Sequence, residues 1–136
     1  MNIEPYLFFE GRCEEAIEFY KNAAGASVEM LMRFKDSPET GENGMMPADR
    51  NKIMHASFRI GDTLIGASDG GCANPTTFKG FSLALKVESD TDAERLFKSL
   101  ADGGIVHQPL IKTFFASRFG MVADRFGVGW MVLTRQ

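Results

Sequence analysis

The sequence predicts an α+β protein made of two βαβββ modules, and three observations lead there. Amphipathic segments at 13–24 and from 89 onward are each preceded by one short apolar run and followed by three more. Those segments superpose without gaps at an offset of 77 residues, which pairs Ala16 with Ala93, Phe19 with Leu96, Tyr20 with Phe97, Lys21 with Lys98 and Ala24 with Ala101. A stretch rich in turn formers, residues 70–79, separates module one (1–69) from module two (80–136), the two together making one domain.

Residues 3–10 form a short aromatic strand stopped by Gly11. In 13–24, Cys13, Ala16, Ile17, Tyr20 and Ala24 recur at helical spacing, Glu14, Glu15, Glu18 and Lys21 take the other face, and Gly25 ends the helix. Residues 27–34 read as a strand. The polar stretch 35–50 is a loop whose adjacent Met45 and Met46 suit either a lid or local packing. Residues 52–60 and 63–69 form a hairpin around Gly61-Asp62. In module two a strand at 81–87 leads into a helix with Thr91 and Glu94 spaced as a capping box. Ala93, Leu96, Phe97, Leu100 and Ala101 line its buried face, and Gly103-Gly104 stops it. Strands at 105–110, 117–124 and 128–134 complete the pattern. In each module the helix covers one sheet face and leaves the other open, so a cleft between two open faces is the expected ligand site.

Composition excludes several classes. With 136 residues, a net charge of −3 and a pI near 5.4, the chain lacks the basic face that nucleic acid or an anionic membrane requires. It has no apolar run of about 18 residues for a membrane helix and no basic leader, so a cytoplasmic protein is expected. Cys13 and Cys72 stand far apart and read as reduced structural thiols. Eight Met and twelve Phe suit either an adaptable apolar cavity or a Met- and Phe-rich core.

Strand alternation places His55, Ser57 and Arg59 on the open face, opposite Met54, Ala56, Phe58 and Ile60. His55 is therefore a candidate ligand contact or acid–base residue, with a hydrogen-bonded structural histidine as the alternative. His107, after the Gly-Gly stop, reads as a surface residue. Arg118 sits among aromatics and suits either an anion clamp or an ion pair with Asp124 or Asp69. Asp69 is a turn cap or a ligand contact. Phe114, Phe115 and Trp130 wall a pocket or fill the core. The repeat register puts Leu7 and Phe9 toward the cavity, and Tyr6 and Phe8 toward the helix.

Three segments carry a family resemblance: PYLFFEGRCEEAIEFYKNAAGA, KIMHASFRIGDTLIGASD and TFFASRFGMVADRFGVGWMV. They resemble the PhnB-like branch of the vicinal-oxygen-chelate superfamily, which also holds glyoxalases, bleomycin-resistance proteins and extradiol dioxygenases. The resemblance implies a homodimer around a small-molecule pocket. Many such proteins carry the label 3-demethylubiquinone-9 3-methyltransferase, yet this chain has no Gly-rich loop after a first strand and the wrong element order for a Rossmann sheet. Metal-using relatives draw ligands from the first and last strands of each module. Those positions here are Pro5, Ser82 and Met131, with only Asp69 ending the last strand of module one, a poor set for a divalent ion. No cofactor is therefore expected. The leading expectation is a metal-free small-molecule-binding protein contacting its ligand through Leu7, Phe9, His55, Ser57, Asp69, Ser82, Phe115, Arg118 and Trp130. The alternatives are a metalloenzyme rearranged around His55, Asp69 and Glu29 or Glu88, and a metal-free enzyme with His55 as base.

Overall fold

A computed structural model describes residues 1–37, 47–72 and 75–135. Met45 and Met46, for which a lid and local packing are both open, lie outside the described residues. The chain divides into two compact units, Met1–Thr76 and Thr77–Gln136, with the division inside the predicted connector.

Module one contains β1 (Tyr6–Phe8), α1 (Cys13–Ala24), β2 (Ser27–Arg33), β3 (Ile53–Ile60) and β4 (Thr63–Ser68). A single 3₁₀ turn, Phe34–Asp36, follows β2. Module two contains β5 (Leu83–Val87), α2 (Asp90–Ala101), β6 (Ile105–Ile111), β7 (Phe119–Ala123) and β8 (Gly129–Thr134). The sheet orders are β1-β4-β3-β2 and β5-β8-β7-β6. In each, the first and last strands of the module pair in parallel and the remaining neighbours are antiparallel.

Helix α1 buries Cys13, Ala16, Ile17, Tyr20 and Ala23, the last in place of the predicted Ala24. Gly25 closes it at φ 67, a left-handed conformation open to glycine. The Tyr20 ring is wholly buried, stacks on Phe58 at 6.0 Å and meets Phe9 at 6.2 Å. Burial of a side chain this large contributes roughly 2–3 kcal/mol. Helix α2 buries Ala93, Leu96, Phe97 and Leu100. The predicted Thr91–Glu94 capping box is not what starts it: the Ser89 hydroxyl caps α2, accepting from the Asp92 amide at 3.1 Å. Glu94 is turned instead toward Arg118, 3.3 Å away.

The predicted faces of β1 are reversed. Leu7 and Phe9 are 2% and 0% exposed, in the core under α1, while Tyr6 and Phe8 are 42% and 53% exposed. The cause is one residue. Phe9 is followed by Glu10, Gly11 and Arg12 before α1, whereas Val87, its counterpart in module two, is followed only by Glu88 and Ser89 before α2. The additional residue is taken up in a turn with φ 50 at Glu10 and 110 at Gly11. A gapless overlay therefore matches the helices and slips the strands by one, which exchanges their faces.

Candidate functional site

Each sheet turns one face to its helix, and pairing across the strands defines what the other face carries. In module one, Tyr6 lies opposite Gly66, Gly66 opposite Ser57, and Ser57 opposite Met30. Phe8 lies opposite Ser68, and His55 opposite Met32. His55 and Ser57 are thus on the open face, as strand alternation predicts.

The chemistry of that face centres on two rings. The Tyr6 hydroxyl is 2.9 Å from His55 Nδ1, and the rings stack with centroids 5.6 Å apart and planes 15° from parallel. Tyr6 and His55 sit on strands separated by β4, so the phenol must lie across that strand. Gly66 makes this possible: a Cβ there would meet Tyr6 Cδ2 at 2.5 Å and Cε2 at 2.9 Å. Phe8 extends the surface, its ring 5.0 Å from that of Tyr6. Arg59 lies on the same face, but its guanidinium is engaged by Glu29 and by the Asp62 carbonyl. Sequence reasoning missed Tyr6 and Phe8. The signal that reveals them is the glycine inside T-L-I-G-A-S, which marks a close approach.

The other predicted site residues fall elsewhere. Asp69 is 1% exposed, and its oxygens accept from the amides of Gly11 (3.0 Å), Cys13 (2.8 Å) and Ile53 (2.7 Å), which caps α1 from a distance. Burial, reinforced by Asp69 and then Glu14, raises the pKa of the Cys13 thiol. Trp130 is buried and donates its indole N–H to Asp124 Oδ2 at 2.8 Å. Asp124 Oδ1 accepts from the amides of Phe126 and Val128, so the D-x-F-G-V-x-W segment is a structural turn. Arg118 is ion-paired, though not with the predicted acids: Asp90 at 3.4 Å and Glu94 at 3.3 Å, both on α2, engage it. Ser82 is exposed at the foot of β5, beside Gly129. Phe115 packs edge-on to Phe114 and Phe119, each 5.2 Å away, in the β6–β7 connection.

The acids of the rearranged metal set do not converge on His55. Asp69 has both oxygens occupied by amides, Glu29 pairs with Arg59, and Glu88 pairs with Arg135 at 3.0 Å. Among the described residues no three His, Cys, Asp or Glu side chains are grouped to hold a metal. Module one also has a polar cleft of about 180 Å³ between Gly11, Glu14, Arg33, Lys52 and Asp69. Its charges face one another: Arg33 meets Glu14 at 3.1 and 2.5 Å, and Lys52 donates to the Gly11 carbonyl at 2.9 Å. Among the described residues no helix is long and apolar enough to cross a membrane.

Two four-stranded mixed sheets, each backed by one helix and ordered βαβββ, define the glyoxalase/bleomycin resistance/dioxygenase class of fold. A domain of that description from Frankia sp. EAN1pec shares it at a TM-score of 0.66, covering 99% of this chain and 95% of its own, and at 14% identity the likeness is one of fold alone. Within this class the chain belongs to the family described as 3-demethylubiquinone-9 3-methyltransferase, whose model matches residues 1–133. The protein YjdN of Escherichia coli is 35% identical over 97% of this chain and 94% of its own. The solved structure of PA1353 from Pseudomonas aeruginosa is 44% identical, with a TM-score of 0.86 over 100% of this chain and 98% of that one. A Bacillus cereus PhnB protein, described as a putative 3-demethylubiquinone-9 3-methyltransferase, is 26% identical, with a TM-score of 0.81 over 98% and 99%.

Proposed function

We propose that this chain binds a small, largely apolar molecule on the open face of module one, without a metal ion, and works as a cytoplasmic homodimer. The observation that carries the reading is the Tyr6–His55 pair, which lies on one face with Phe8, Met30 and Met32. Soft thioethers and flat rings around a few fixed polar groups are the usual lining of a ligand site. Of the residues placed on this face only His55 is a usual ligand of a divalent cation, Asp69 being taken by backbone amides and Glu29 by Arg59, and one imidazole does not fit such an ion. Methyl transfer from a nucleotide-like donor has equally little support. Each sheet has one parallel pair rather than a doubly wound array, and Asp69 already fills the amino end of α1. The homodimer is favoured by the family resemblance and by exposed apolar side chains on edge strand β6, where Ile105 is 63% exposed.

The test is a thermal-shift screen of small molecules with and without Ni²⁺, Zn²⁺, Fe²⁺ and Mn²⁺, with metal content measured on the purified protein. A ligand at a hundred times its Kd is expected to stabilise by about 2.7 kcal/mol without added metal, and His55→Ala to weaken its binding. One equivalent of tightly held divalent metal, with ligand shifts that vanish on chelation, would replace this reading with the metalloenzyme. The Tyr6–His55 hydrogen bond also favours a second reading, a metal-free enzyme with His55 as acid or base. Turnover lost in His55→Ala at unchanged Tm distinguishes it from pure binding.

A further inference from the structure

We infer that Tyr6 is a positioning residue that fixes the tautomer of His55, so that the face presents an Nε2–H to a neutral, carbonyl-bearing aromatic molecule. The ligand class rests on the binding reading above; the tautomer does not. Tyr6 Oη and His55 Nδ1 are 2.9 Å apart. A phenol is a stronger donor than acceptor, and an unprotonated imidazole nitrogen is a strong acceptor, so the proton between them belongs to Tyr6. A neutral imidazole accepting at Nδ1 carries its own proton on Nε2. The arrangement is built in from the strand: Gly66 keeps the path of the Tyr6 ring across β4 clear of a Cβ.

The neighbours select the rest of the ligand. Phe8 is 53% exposed and Met30 39%, and Met32 stands opposite His55. The stacked Tyr6 and His55 rings add a flat surface. Such a face favours a planar apolar body. A carboxylate brought against it would lose hydration and find Arg59 already held by Glu29. A carbonyl oxygen meets the Nε2–H at no such cost.

Long-range ¹⁵N NMR of the imidazoles in the full chain, at a pH where His55 is neutral, tests the first half. The expected pattern is protonated Nε2 with Nδ1 at the shift of a hydrogen-bonded acceptor, and that Nδ1 signature is lost in Tyr6→Phe. A protonated Nδ1 in the wild type, or an Nδ1 resonance unmoved in Tyr6→Phe, overturns the inference. Titration with acetophenone, benzoate and ethylbenzene tests the second half. Acetophenone should shift His55 and the Met30 and Met32 methyls and bind about fivefold more tightly than either of the others, an advantage lost in Tyr6→Phe. Benzoate binding as well as acetophenone overturns the ligand class while leaving the binding reading intact. Silence from all three probes removes the binding reading and the ligand class with it, whatever the tautomer.

Discussion

Module one and module two each close around a buried aspartate that accepts three N–H groups, and they do it over different lengths of chain. Asp69 gathers amides from Gly11, Cys13 and Ile53, up to 58 positions away in sequence. Asp124 gathers Phe126, Val128 and the Trp130 indole, all within 6 positions. The same device is a tertiary clasp in one half and a local turn in the other. The open faces differ as much. The row Tyr6–Gly66–Ser57–Met30 of module one corresponds in module two to Ala84–Met131–Met121–Gln108, and the next row there is Lys86–Leu133–Phe119–Ile111. A paired phenol and imidazole exist on one sheet, while the matching rows of the other carry thioethers and hydrocarbon with Gln108 and Lys86 at their ends. Duplicated architecture therefore leaves the core common and the chemistry one-sided.

The comparison breaks most easily at the aspartates. Asp69→Ala strips the acceptor from three amides that belong to separate elements and should cost about 4 kcal/mol in urea unfolding. Asp124→Ala should cost about 3 kcal/mol, because the adjacent turn can reopen to water, and Trp130→Phe only about 1–2 kcal/mol. Equal losses for the two aspartates would remove the distinction between clasp and turn. A smaller effect is expected at Gly66. Gly66→Ala should cost about 1 kcal/mol of stability while displacing Tyr6, read as loss of the Tyr6–His55 signature by NMR, even though module two carries Met131 at the matching place. Unchanged His55 resonances in Gly66→Ala would deny the glycine its part. The smallest effect lies at the Glu14–Arg33 pair. Its hydrogen bond to Arg33 holds the Glu14 carboxyl below its ordinary 4.5. The stabilisation is accordingly present above that pH and fades as pH falls through the lowered value. Glu14 is 55% exposed, so Glu14→Gln should cost less than about 1 kcal/mol at neutral pH and nothing in acid.

Much of the fold was legible because its signals are local. The apolar spacing of α1 marks Cys13–Ala24 to the residue, and Gly61-Asp62 marks the β3–β4 hairpin. His55 fell on the open face because alternation in β3 is unambiguous: Ala56 and Phe58 are both wholly buried. The site as a pair was hidden. Every residue from Tyr6 to Phe9 is apolar or aromatic, so β1 shows no alternation of its own, and its face had to be borrowed from a repeat that slips by one residue. Arg118 could be paired with some acid from its surroundings, but which one depends on α2 lying across β7, a tertiary fact. Asp69 and Trp130 look like site residues because buried polar atoms are written the same way in a sequence whether they meet a ligand or a backbone amide.

The turn at Glu10 and Gly11 also bears on how such proteins diverge. There the connection gains one residue and absorbs it in a turn, so the strand still hides Leu7 and Phe9 although its numbering slips against that of the helix. Duplicated halves can in this way change the length of a connection while keeping their interior, and aligning them without a gap then misreads which side chains each strand displays.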